Sequence, residues 1–306
     1  MNILFSSDDN YARHMGVAIY SILSHNEHCS KIRFFIVDNN ISVENKNNIE
    51  TIVLGFNNSD LLFIPFSKWT ENLHLNMIWP ISISAYARLF IGEMLPLDID
   101  RVLYLDSDII VNNDLLELWN IDLGDNVIGA VQDQVSDKIK VGVGLSSNEQ
   151  YFNSGVLLIN LKKWREIGVG TEAIKFIQMH NGRVLHHDQG VLNGLLKSAW
   201  FKLPLKYNVM TIHYIMSQRR IQDYYNDYAI FYENKEIQES TKYPTILHFT
   251  PSFTSRPWER GCKHPLSYLY LDALHNTPWA NHTLDKVHNP WYIRLINWFY
   301  YYYSKR

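Results

Sequence analysis

Blocks of apolar residues at two different spacings alternate along the first 130 positions of the chain. A short apolar run at residues 2–5 ends in polar residues and predicts a strand. Met15, Ala18, Ile19, Ile22 and Leu23 recur at helical spacing and predict a helix over 12–23. The same reading gives strands at 32–37, 61–64, 102–105 and 127–131, and helices at 43–54 and 85–95. Strand and helix in alternation imply a mostly parallel sheet covered on both faces, with ligands beyond the carboxyl ends of the strands. Further on, 155–161 predicts a strongly apolar strand and 245–249 a late one. Helices are predicted at 162–166, 171–180 and 189–196. Pro and Gly are scattered and no linker interrupts the pattern. The reading is one α/β domain with a C-terminal extension.

Composition narrows the class. The 306 residues carry 28 basic and 31 acidic side chains, a formal charge of −3, which argues against nucleic acid as a partner. Hydrophobic residues make up 46% and charged ones 19%, so disorder is excluded as the main state. Cys29 and Cys262 form no disulfide framework, which suits a reducing compartment. The opening residues lack the basic n-region of a signal peptide, and no run of 18 apolar residues predicts a spanning helix. The first strand-to-helix turn has no Gly-x-Gly-x-x-Gly or Walker pattern. Any phosphate must be held by other means.

Two Asp-x-Asp triplets stand close together. Asp98 and Asp100 follow Pro96 and read as turn chemistry. Asp106 and Asp108 follow the apolar run 102–105, at the carboxyl end of a strand. Residues i and i+2 of an extended chain point to one side. Two carboxylates converging there repel unless a cation neutralises them. His248 sits in an apolar strand, where it is either a satisfied core histidine or the third ligand of an oxygen-plus-imidazole site suited to Mn²⁺. Asp8, Asp9, Asn10 and Tyr11 end the first strand and read either as a helix start capped by Asp9 or Asn10 or as a pocket for a nucleobase. Arg88, on an apolar segment, calls for an anion. Asp188 is either a helix cap or a site carboxylate.

Several segments in this order resemble glycosyltransferase family 8, and within it the bacterial lipopolysaccharide-type galactosyl- and glucosyltransferases. They are Phe5-Ser-Ser-Asp-Asp-Asn-Tyr11, Ser84-Ala-Tyr-Ala-Arg-Leu89, Val102-Leu-Tyr-Leu-Asp-Ser-Asp-Ile109, Tyr151-Phe-Asn-Ser-Gly-Val156, His187-Asp-Gln-Gly190, and Ile246-Leu-His-Phe249 followed by Arg256-Pro-Trp258. The resemblance implies a GT-A, Rossmann-like nucleotide-sugar-binding fold, a UDP-sugar donor, a divalent metal (Mn²⁺ or Mg²⁺) and retention of anomeric configuration. Asp106, Asp108 and His248 would hold the metal. Asp8 and Tyr11 would hold uracil, with Ser6 and Asn10 nearby and Ser107 lining the donor site. Arg88, Asn153 and Asp188 would contact the donor sugar, and Gln189 would lie beneath the anomeric carbon. One segment departs from the family. The usual form has a glycine and then a lysine six residues after the histidine; here Arg256 stands eight residues after His248, with Pro251 where glycine is common, which leaves its reach toward the diphosphate open.

The resemblance covers residues 1–280, and 281–306 forms a separate tail. Within 286–306 there are four basic residues, no acidic one and eight aromatics, which leaves the body at −7. A basic aromatic segment suits an anionic bilayer surface. The expected protein is a retaining hexosyltransferase that meets a saccharide or lipid-linked saccharide acceptor at the cytoplasmic face of the membrane. A glycogenin-like self-glucosylating protein and a non-catalytic nucleotide-sugar binder are the alternatives.

Overall fold

Asp8 closes the first strand and opens the first helix. Its side-chain carboxylate accepts the Tyr11 amide at 3.2 Å, capping helix α1 (Asp9–His25) directly behind strand β1 (Asn2–Asp8). Ala12, Met15, Ile19, Ile22 and Leu23 are the buried stripe of α1, as their spacing predicts. The second unit repeats the pattern. Strand β2 (Ile32–Asn39) leads to helix α2 (Val43–Leu54), which Ser42 caps through the Asn45 amide. The computed structural model describes residues 1–70, 83–229, 231–287 and 291–303.

Eight further strands complete two sheets. They are β3 (Ser59–Pro65), β4 (Arg101–Leu105), β5 (Ile109–Val111), β6 (Ile128–Asp133), β7 (Tyr151–Asn160), β8 (Trp200–Lys202), β9 (Val209–Met210) and β10 (Ile246–His248). The large sheet has the order β3-β2-β1-β4-β7-β6-β8. Its pairs are parallel except where β7 runs antiparallel between β4 and β6. A small sheet of order β5-β10-β9 packs beside it. This is the mixed, mostly parallel α/β architecture expected. Alternate residues of β4 feed two cores: Val102 and Tyr104 face one, Leu103 and Leu105 the other.

Two local readings differ. Residues 85–95 are not one α-helix: Ile83–Phe90 winds as a 3₁₀ helix and Ile91–Met94 adds a single α turn. Arg88 Nε takes the Ala85 carbonyl at 3.1 Å, competing for a backbone acceptor, and Pro96 then ends the segment. The Asp106–Asp108 segment is a turn between β4 and β5 and not extended chain. Its carboxylates converge because the backbone reverses there.

Candidate active site

Because β1 and β4 are parallel neighbours, Asp8 and Asp106 emerge at the same carboxyl edge of the sheet. A cleft of about 360 Å³ opens there, lined by Ser6, Asp8, Tyr11, Arg88, Asp106 and Ser107. Ser6 Oγ donates to the Ser84 carbonyl at 2.8 Å, and the buried Ser107 hydroxyl has no partner among the described residues. Tyr11 is the divider: it also lines an adjoining cavity of about 800 Å³, with Asn10 and Arg256 on its wall.

The small sheet delivers the histidine. Antiparallel pairing of β10 with β5 sets His248 opposite Ile109, one residue from Asp108. His248 Nε2 lies 3.1 Å from Asp108 Oδ1 and 3.8 Å from Asp106 Oδ2. Ligand-type atoms of Asp106, Asp108 and His248 all fall within 4.8 Å of one another. Space for this comes from Gly155 on β7. A Cβ there would lie 2.3 Å from His248 Cε1 and 2.8 Å from Asp106 Oδ2. Two carboxylate oxygens and one imidazole nitrogen are a donor set that fits a divalent cation.

Two guanidinium groups face this cluster. Arg88, buried, donates to Asp106 Oδ1 at 2.7 Å and pairs with Asp188 Oδ2 at 2.9 Å, so the anions it required are these two carboxylates. A second guanidinium, Arg256, reaches Asp108 Oδ2 at 2.8 Å and lies 5.2 Å from the centre of the Trp258 ring. Its reach into the cluster is therefore direct. Burial alone would raise the Asp108 carboxyl, but His248 and Arg256 hold it well below the usual carboxylate range. Burial pushes Asp188 up to about 6, with Arg88 opposing and Asp106 adding to the rise. His248 is raised: burial acts against its protonation, and Asp108 outweighs it.

Asp188 and Gln189 enter from the first turn of the helix His187–Leu195. Asp188 is a buried ion-pair partner inside that helix and not its cap. The Gln189 amide is oriented from both ends. Its Oε1 accepts from the Ser154 N–H at 3.0 Å, and its Nε2 donates to Asp133 Oδ2 at 3.2 Å. Asn153 donates to the same Asp133 oxygen at 3.2 Å and accepts from the Gly155 N–H at 3.0 Å.

All thirteen residues singled out in the sequence sit at this edge of the sheet or on its walls, with Asn10 on the outer side of Tyr11. Three others had no role assigned to them at the metal cluster. Asp133 ends β6, and its place at the carboxyl end of a strand was the available signal. Gly155 and Asn208 carry no local signal, because their role is to leave room for His248 and to bond it.

Comparisons with known proteins bear on this geometry. Residues 2–262 match the profile of a family described as glycosyl transferase family 8. A lipopolysaccharide 1,2-glucosyltransferase of Escherichia coli K12 is 31% identical over 287 residues, covering 92% of this chain and 79% of that protein. General stress protein A of Bacillus subtilis 168 is 28% identical over 284 residues, covering 91% and 94%. The galactosyltransferase LgtC, solved in complex with donor and acceptor sugar analogs, superimposes with a TM-score of 0.73 at 31% identity, covering 91% of this chain and 96% of that one.

Proposed function

The chain belongs to glycosyltransferase family 8, and from that premise we propose that it moves galactose or glucose from a UDP-sugar to a glycan acceptor with retention at the anomeric carbon. The observation that carries this reading is the cluster of Asp106, Asp108 and His248 at the head of the cleft, with Gly155 keeping the space between them. These three side chains would hold a divalent cation, Mn²⁺ or Mg²⁺, which when bound would supply Lewis-acid stabilisation to the diphosphate of the leaving UDP.

This chain's own residues do the rest. Asp8 and Tyr11 bind the uracil, with Ser6, Asn10 and Ser107 lining the nucleotide site. Arg88 holds Asp106 in register with Asp188, so the metal cluster and the sugar site are fixed by one guanidinium. Arg256 adds a positive charge beside the diphosphate. Asn153 and Asp188 orient the hexose. Gln189 lies beneath the anomeric carbon. Its carbonyl oxygen is already engaged by the Ser154 N–H, which favours an uncharged dipole that stabilises an oxocarbenium-like state over a nucleophile. Attack then comes from the face the leaving group departs. Asp133 locks the Gln189 amide in place.

Residues 1–280 form the catalytic domain and 281–306 a tail that attaches it to an anionic membrane, at the cytoplasmic face where a lipopolysaccharide-type acceptor is met. The described parts of the tail are residues 281–287, where Asp285 pairs with Arg13 of the body at 2.6 Å, and one helix, Trp291–Tyr303, with Tyr292, Leu295, Trp298, Phe299 and Tyr302 exposed. Lys305 and Arg306 lie outside the described residues. Thirteen helical residues span about 20 Å, short of the roughly 30 Å hydrocarbon core, so the helix suits the interface. No helix among the described residues is long and apolar enough to cross a membrane.

The test is a panel of UDP-sugars with Mn²⁺, reading UDP release. One UDP-hexose should stand out, with release abolished by chelation. Release from none of them, or release indifferent to metal, overturns the reading.

A further inference from the structure

A second group of metal-ligand side chains lies at the far end of the sheet, near the amino ends of β1 and β2. His28 and Cys29 come from the loop between α1 and β2, and Asp114 from the segment after β5. One ligand-type atom from each lies within 4.8 Å of the others. His28 Nε2 is 3.1 Å from Asp114 Oδ2 and 3.9 Å from Cys29 Sγ. A tetrahedral zinc ion, with bonds of about 2.0–2.3 Å, sets its ligands roughly 3.3–3.8 Å apart. The observed spacings bracket that edge.

The backbone is held ready by bonds that involve none of the three ligand atoms. Asn26 is fully buried and ties the two segments together: its Nδ2 donates to the Ile22 carbonyl at 2.8 Å, and its Oδ1 accepts from the Leu115 N–H at 2.9 Å. The Cys29 N–H donates to the Asn26 carbonyl at 3.1 Å, and Asn58 Nδ2 donates to the Cys29 carbonyl at 3.0 Å. Asp114 spends Oδ1 on the Leu116 N–H at 2.7 Å, which leaves Oδ2 to face His28. Cys29 is buried beneath, while His28 and Asp114 stand about half exposed at the rim. The arrangement has an entry path and room for water as a fourth ligand.

Ligand chemistry separates this group from the catalytic cluster. Asp106, Asp108 and His248 offer oxygen and nitrogen only, which suits Mn²⁺ or Mg²⁺. Thiolate, imidazole and carboxylate together suit Zn²⁺. We propose that His28, Cys29 and Asp114 form a zinc-type site, completed by water, that clamps the loop after α1 to the segment after β5. On binding, the Cys29 S–H bond breaks, a sulfur–metal bond forms, and the proton passes to the buffer.

Cobalt reports the two sites separately, because among the described residues only Cys29 brings sulfur to a metal cluster. CoCl₂ titrated into the metal-free full-length protein should produce a near-ultraviolet sulfur-to-cobalt charge-transfer band that saturates and is displaced by Zn²⁺. The band should be lost in Cys29→Ala, weakened in His28→Ala, and retained in both Cys262→Ala and Asp108→Asn. No band in the wild type overturns the site and leaves His28 and Asp114 a surface ion pair over a packed thiol. A band that survives Cys29→Ala, or disappears in Cys262→Ala, overturns it too. A second measurement needs no variant. Zn²⁺ should slow alkylation of Cys29, read by peptide mass spectrometry, and leave Cys262 unaffected; equal Cys29 rates with and without Zn²⁺ count against the site.

Discussion

Asn208 Oδ1 lies 2.9 Å from His248 Nδ1, and both residues are buried. Asn208 Nδ2 donates to Asn153 Oδ1 at 2.9 Å, so its oxygen is left to accept. His248 Nδ1 therefore carries a proton in either charge state, and Nε2, which faces Asp106 and Asp108, is the nitrogen that a cation would take once its own proton is lost. Asn208→Ala removes this orienting bond. Apparent Mn²⁺ affinity should fall about 10–100-fold, with kcat recovering at saturating Mn²⁺. Titration of activity against Mn²⁺ checks it; unchanged metal dependence would show that Asn208 only fills space.

Asp108→Asn removes one of the two negative charges at the cation site and strips Arg256 of its 2.8 Å partner. Turnover should drop to the level of chelated wild type. A mutant that keeps wild-type rate with Mn²⁺ would refute the ligand assignment.

Gly155→Ala tests the space between the ligands. The new methyl would overlap the His248 ring and crowd Asp106, so the cluster must open or the strand must shift. The expected cost in stability is about 1–3 kcal/mol. Metal-dependent activity should be lost more completely than that cost explains, measured at a temperature where the variant stays folded.

His213 is buried, and neither ring nitrogen has a hydrogen-bond partner among the described residues. Burial pushes its pKa down to about 4, against about 6.5 in an unfolded chain. Between these values the unfolded state binds the proton and the folded state refuses it. The stability is thus fully present above pH 6.5 and erodes as pH falls toward 4, by about 3 kcal/mol at the limit. His213→Phe should make that part of the urea-denaturation profile shallower, with buried His264, pushed down to about 4 in the same way, still contributing. An acid limb identical to wild type would contradict the assignment.

The tail makes a separate prediction. Deleting residues 286–306 removes four basic residues and the exposed aromatic helix face. The truncated protein should no longer sediment with anionic vesicles, while activity on a soluble acceptor survives. Vesicle binding that persists without these residues would place the attachment elsewhere.

The sequence by itself determined the alternating frame. Apolar periods of two and 3.6 fix α2 to the residue and β1, α1 and β2 to within three residues at each end, since each element must bury one face or stripe. It also marked Asp106 and Asp108, because a charged pair next to an apolar strand is locally conspicuous. The direction of β7 was beyond it. Nine of the ten residues of β7 are buried, so no alternation of polar and apolar remains to read. Only the tertiary structure brought His248 beside Asp106 and Asp108, through the pairing of β10 with β5, which sets it against an aspartate 140 residues earlier in the chain. Gly155, Asn208 and Asp133 entered the site the same way. So did the juxtaposition of His28 and Cys29 with Asp114. Local pattern records what one segment must bury, whereas a site assembled from distant strand ends exists only once the sheets have set their register.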